Sequence, residues 1–218
     1  MTVAEKETIE ALPMYGQPGL TRSDYLKRQD AAFIKQIAYR YRGDLKQASQ
    51  ESSRQAFDIL YMGDPDAAMR RLNQAWLLDS GNYQVYWGFG QVLVARGELA
   101  GAAHYLEQAV QMADDPYQKP ALLTDMGTVY SLQGEQAESA RAGQSVALFE
   151  RANARFAAAV ALDGEYRPVW QRWAHSLYRQ GDYMAAWDKI RQARQRGMND
   201  FSRGFIQDLS AHLPEPGR

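Results

Sequence analysis

The chain has no cysteine, which excludes disulfides, thiolate zinc sites, iron–sulfur clusters and thiol nucleophiles. Histidine is scarce as well. His104, His175 and His212 are the only three, and none has a second histidine or carboxylate at metal-ligand spacing on an assured common helix face. The sequence also lacks a strand followed by a phosphate-cradling Gly loop, a nucleophile elbow and a paired-carboxylate motif in a recognisable context. We therefore assign no catalytic residue, no metal ligand and no cofactor, and expect no enzymatic activity. No apolar run approaches the roughly 18 residues that cross a bilayer, and the first fifteen residues, MTVAEKETIEALPMY, have no signal-peptide core. As written the chain reads as cytoplasmic. A chain from which a leader had been removed would read the same way, so a periplasmic or lipid-anchored location is the alternative.

An excess of positive charge is missing too. The formal net charge is −1, which supplies no counterion-release drive toward nucleic acid. The charges are nevertheless segregated. Residues 21–48 carry seven basic and three acidic side chains, residues 49–166 eight and fifteen, and residues 167–205 eight and three. Basic ends around an acidic middle can steer a charged partner.

Val, Ile and Thr are sparse, whereas Ala, Gln, Glu, Leu and Arg, which lose little rotamer freedom in a helix, are abundant. Composition favours an all-α fold. Within it, Gly followed by an acid recurs as Gly63-Asp64, Gly97-Glu98, Gly134-Glu135 and Gly181-Asp182, at spacings of 34, 37 and 47 residues. Aligning on these glycines brings Ala68, Ala102, Ala152 and Ala186 into one column, and Leu72, Leu106, Phe156 and Ile190 into another. Ala75, Ala109, Ala159 and Ala193 make a third, and seven residues before each glycine stand Ala56, Gly90, Gly127 and Ala174. Small residues let antiparallel helices approach closely, and one large apolar residue per repeat fills the space between hairpins. Each glycine would end a first helix in the left-handed conformation, with the acid capping the second. In Asp64-Pro65, the proline takes a first-turn position whose N–H is not needed.

With these columns, the sequence resembles the tetratricopeptide-repeat family, with about four repeats over residues 49–197. Tyr83–Met112, YQVYWGFGQVLVARGELAGAAHYLEQAVQM, is the nearest match, and NQAWLLDSGN (Asn73–Asn82) resembles the usual repeat ending with Ser80 in place of proline. The resemblance implies a right-handed α-solenoid whose first helices line a concave groove. Carried over position by position, the groove contains Arg54, Phe57 and Tyr61, then Trp87 and Gln91, then Asp125 and Thr128, and finally Gln171, Arg172, His175, Tyr178 and Arg179. Aromatic surface bordered by Arg and amide groups suits a peptide or helix of a partner protein. The carboxylate clamp of chaperone-tail receptors in the family requires Lys and Asn where this chain has Ser53 and Phe57, and Asn where it has Gly88. A chaperone tail is therefore not the expected ligand.

Residues 1–20, with Pro13, Gly16, Pro18 and Gly19, read as an extended or mobile lead-in whose Leu12-Pro13-Met14-Tyr15 offers a docking anchor. Residues 21–48 read as a flanking helix with Tyr25, Leu26, Phe33, Ile34, Ile37 and Tyr41 on one face. An insertion near 135–147 lengthens the third repeat, and residues 198–218 form a C-terminal capping helix and tail. The leading reading is a non-catalytic protein-interaction scaffold without nucleic-acid binding or a membrane span. An exported, lipid-anchored bacterial protein acting in envelope assembly or secretion is one alternative, and a self-assembling homo-oligomeric adaptor is the other.

Overall fold

The computed structural model describes residues 8–138 and 142–217. Among these the chain is all helix with no strand, an α-solenoid fold of stacked helical hairpins, and it divides into two compact units, residues 1–112 and 113–218.

The N-terminal unit contains a short turn at Pro13–Gly16 and a helix α1, Asp24–Arg40. Two hairpins follow: α2, Leu45–Tyr61, with α3, Pro65–Leu78, and α4, Tyr83–Ala95, with α5, Leu99–Met112. Asp64 Oδ1 accepts the Ala67 N–H at 2.9 Å, so the acid caps the helix that Pro65 opens. Gly63 and Gly97 sit at φ 89 and 78. In that conformation Gly63 N–H reaches the Leu60 carbonyl and Asp64 N–H the Ile59 carbonyl, closing the end of α2. The aligned columns form the core: Ala68, Ala75, Ala102 and Ala109 are buried, as are Leu72 and Leu106. A Cβ on Gly90 would lie 2.7 Å from Leu106 Cγ, and one on Gly88 would collide with the Leu72 side chain. The missing side chains thus set the helix spacing both within a hairpin and between hairpins. A polar knot fixes the register of the two hairpins. Asn82 Nδ2 donates to Ser49 Oγ at 2.9 Å and to Ser53 Oγ at 3.2 Å, while Ser49 Oγ donates to the Ala75 carbonyl at 2.8 Å.

Two N-terminal expectations change. Residues 8–20 are not extended: they fold into a strap with Pro13 and Tyr15 buried, because main-chain groups of the strap find partners on α3 and at the end of α4. The expected flanking helix forms over Asp24–Arg40 with Ser23 as its cap, but only its Leu26 is fully buried. Tyr25 and Tyr39 stay 57% and 91% exposed.

The C-terminal unit contains the hairpins α6, Lys119–Glu138, with α7, Ala142–Leu162, and α8, Arg167–Arg179, with α9, Tyr183–Gln195, followed by α10, Arg203–His212. Ala152, Phe156, Ala159, Ala186, Ile190 and Ala193 repeat the buried columns. Gly134 departs from the expected pattern. It does not end a helix: α6 runs on to Glu138, and a Cβ there would lie 2.8 Å from Phe149 Cε1. The glycine serves close packing, since the insertion moves the helix end downstream. Of the expected insertion, residues 135–138 prolong α6 and 142–147 begin α7, while 139–141 lie outside the described residues. On α10, Phe205 and Leu209 close over Ala174, Leu177, Ala186, Trp187 and Ile190. Trp187 Nε1 donates to the Leu213 carbonyl at 2.8 Å, fixing the tail.

Candidate protein-binding surface

In the N-terminal unit the first helices of the two hairpins, α2 and α4, lie in contact, and their shared face carries the predicted residues. Phe57 of α2 meets Trp87 of α4 edge-to-face, with centroids 5.6 Å apart and planes at 67°. Both rings are half-buried, so each rests on the hairpins and still shows surface to solvent. One turn beyond Phe57, Tyr61 is 94% exposed, and Met62 beside it is 83% exposed. One turn before Phe57, Arg54 Nη2 donates to Glu51 Oε1 at 2.6 Å, and its guanidinium is 3.9 Å from Asp58. Hydrogen bonds from Arg54 and then Gln55 hold the Glu51 carboxyl below the usual range. Arg54 therefore borders the aromatic surface as part of an ordered acid–base string. Gln91, one turn after Trp87 on α4, is half-buried. Sequence reasoning missed Met62, which follows Tyr61 at the helix end and carries no periodicity signal of its own.

The C-terminal unit treats its predicted residues differently. Thr128 Oγ1 donates to the Thr124 carbonyl at 2.9 Å, a bond along its own helix. Asp125 is half-buried and helps burial to raise the Tyr166 phenol. Arg172 is exposed, and Arg179 pairs with Glu135 at 3.1 Å. The remaining three serve the chain's own C-terminus. Gln171 Nε2 donates to the Asp200 carbonyl at 2.9 Å, His175 stacks on Phe205 at 3.7 Å, and Tyr178 meets Phe205 and His212 edge-on at 5.7 and 5.6 Å. Burial lowers the His175 pKa, reinforced by the charges of Arg179 and Arg172. The expected cationic end of the groove is thus partly filled by α10. A C-terminal capping helix was legible within residues 198–218, but which side chains it would cover was not.

Among the described residues no group of three or more His, Asp or Glu side chains is placed to hold a metal ion, and no helix is long and apolar enough to cross a membrane. What both units present is the inter-hairpin packing of a helical-repeat scaffold, with aromatic rings half-exposed along the first helices.

Residues 60–141 match the family model described as tetratricopeptide repeat. No curated protein matches the chain in sequence. Among solved structures, the fold is similar to two crystal structures of MamA, both 14% identical to this chain, with TM-scores of 0.54 and 0.52. They cover 82% and 92% of this chain, which in turn covers 96% and 98% of theirs. It is also similar to PilF of Pseudomonas aeruginosa, at TM-score 0.50 and 19% identity, over 86% of this chain and 93% of that one. At these identities the likeness is one of fold. Residues 60–141 therefore carry tetratricopeptide repeats, a fold that in general supports a protein–protein interaction scaffold.

Proposed function

We propose that the N-terminal unit holds a segment of a partner protein on its first-helix face, with Phe57 and Trp87 as the anchoring pair and Tyr61 as the ring that closes over the ligand. The observation that carries this is exposure: Tyr61 and Met62 present large apolar surface beside two half-buried aromatic rings, on a chain whose repeat columns are otherwise buried. Rings of this kind bury apolar side chains of a ligand at little entropic cost, and the Glu51–Arg54–Asp58 string offers acceptors and donors to its polar flank. Affinity capture from the native cell with quantitative mass spectrometry tests the proposal through three variants. Trp87→Ala and Tyr61→Ala should lose the same set of partners, whereas Arg70→Ala, an exposed change on α3, should keep it. Retention of that set by both aromatic variants would overturn the assignment.

A second reading is favoured by α1, the loop after it and the first turn of α2. Arg28, Lys35, Arg40, Arg42 and Lys46 are exposed and none is within ion-pair distance of a described acid. Because residues 49–166 are acidic in balance, these cations would support self-association. Light scattering in low and high salt should then show an assembly that dissociates as screening rises, and a monomer at every salt concentration removes this reading.

A further inference from the structure

The N-terminal strap is held in a way that an ordinary surface covering does not require. Asn73, fully buried on α3, donates from Nδ2 to the carbonyls of Glu10 and Leu12 at 3.0 and 2.9 Å and accepts the Tyr15 N–H at Oδ1, 3.3 Å. Arg96, at the end of α4, donates from Nη1 to the Ala11 carbonyl at 2.7 Å, while its Nη2 is steadied by Asp66 at 2.7 Å. Carbonyls 10, 11 and 12 and the amide of 15 are therefore all read by side chains of the scaffold, and none of these bonds depends on what side chain the strap carries. Only Pro13 and Tyr15 of the strap are buried. The Tyr15 ring lies under the Arg22 guanidinium at 3.7 Å, which Asp30 holds at 2.6 Å.

Two further observations show that the present occupant fits imperfectly. Met14 and Tyr15 both adopt left-handed backbone, at φ 50 and 54, where an L side chain crowds its own carbonyl. Arg22 Nε and Nη1 are buried without a hydrogen-bond partner. Main-chain recognition combined with one aromatic socket is the pattern of a peptide site.

We infer that Asn73 and Arg96 form a main-chain-reading site for a polypeptide segment bearing one aromatic anchor, that residues 10–15 occupy this site in cis, and that an incoming segment of the same chemistry exchanges with them. The site lies on α3 and the end of α4 and does not use Phe57 or Trp87, so it stands or falls independently of the proposed function. A ligand with glycine at the position of Met14 binds better than the strap's own sequence, because glycine enters the left-handed region without steric conflict.

The test uses the full chain with Tyr15→Ala, which empties the aromatic socket, and a fluorescein-labelled peptide of residues 8–20, TIEALPMYGQPGL, followed by anisotropy. Saturable binding is expected, at least about tenfold tighter than to the unaltered chain, whose tethered strap competes at high effective concentration. Adding Asn73→Ala should abolish it, and a peptide with Met14→Gly should bind several-fold tighter. Absence of saturable binding to the folded Tyr15→Ala chain, or binding indifferent to Asn73→Ala, overturns the inference. Should Tyr15→Ala fail to fold, a protease site placed between Gly19 and Leu20 of the otherwise unaltered chain allows the nicked strap to be challenged with the labelled peptide. Exchange supports the site, and a strap that the peptide never displaces refutes it.

Discussion

Gly90→Ala probes the packing on which the repeat array depends. Gly90 lies in the interior of α4, so alanine there gains about 1 kcal/mol of intrinsic helix preference. Against this, the new Cβ would stand 2.7 and 2.9 Å from Leu106 Cγ and Cδ2 and 3.3 Å from the Ala102 carbonyl oxygen. Leu106 is fully buried and Ala102 contributes rigid helix backbone, so α5 must move away from α4. Overpacking of that kind costs about 1–3 kcal/mol. After the helix gain is offset, a net loss of about 1–2 kcal/mol remains at the upper end of that range, and each kcal/mol lowers the melting temperature by about 4–8 °C for a unit near 100 residues. Gly204→Ala in α10 is the matched control: nothing lies within 4 Å of a Cβ there, so only the helix term acts and stability should rise by up to about 1 kcal/mol. Calorimetry and urea unfolding followed by circular dichroism read both variants. A Gly90→Ala chain as stable as the parent would refute the claim that this glycine sets the distance between the helices of the hairpin.

Three other outcomes follow from the same contacts. Asn82→Ala removes both a helix cap and the bonds to Ser49 and Ser53, and should destabilise by about 1–3 kcal/mol in urea titration. Because burial and then Arg179 and Arg172 disfavour the His175 imidazolium in the folded chain, the unfolded chain takes up that proton more readily. The His175 contribution is therefore intact above the ordinary value of 6.5 and is lost as pH falls below it. His175→Gln should flatten that part of the fall in melting temperature, and an unchanged slope would show that the imidazole is not the group responsible. Trp187→Phe loses the bond to the Leu213 carbonyl, and hydrogen exchange should quicken at α10 while α6 and α7 keep their protection.

Much of the fold was legible because each repeat column answers one physical demand. Ala102 and Ala186 are small since a neighbouring helix lies against them, and Gly63 and Gly97 are glycine since the chain turns there through left-handed backbone. Gly134 shows where the same dipeptide misleads. With the helix end displaced by the insertion, its lack of a side chain accommodates the Phe149 ring. The placement of the candidate residues was legible on α2 and α4, where Phe57 and Trp87 do meet. On α8 it was only partly so, because whether His175 and Tyr178 face solvent depends on how a ten-residue helix, α10, closes over them. The strap site left one trace that pattern reading passed over: Asn73 stands in a buried phase between Leu72 and Ala75, and a buried carboxamide needs partners.

The central claim, that the first-helix face of the N-terminal unit receives a partner, is tested most directly by photo-crosslinking in the native cell. Benzoylphenylalanine is placed at Tyr61 in one strain and at Arg70, exposed on α3, in another. The account predicts a discrete crosslinked protein from position 61 that disappears when Trp87→Ala is added, with none from position 70. Equal crosslinking from both positions, or a crosslink at 61 that survives Trp87→Ala in a folded chain, would contradict it.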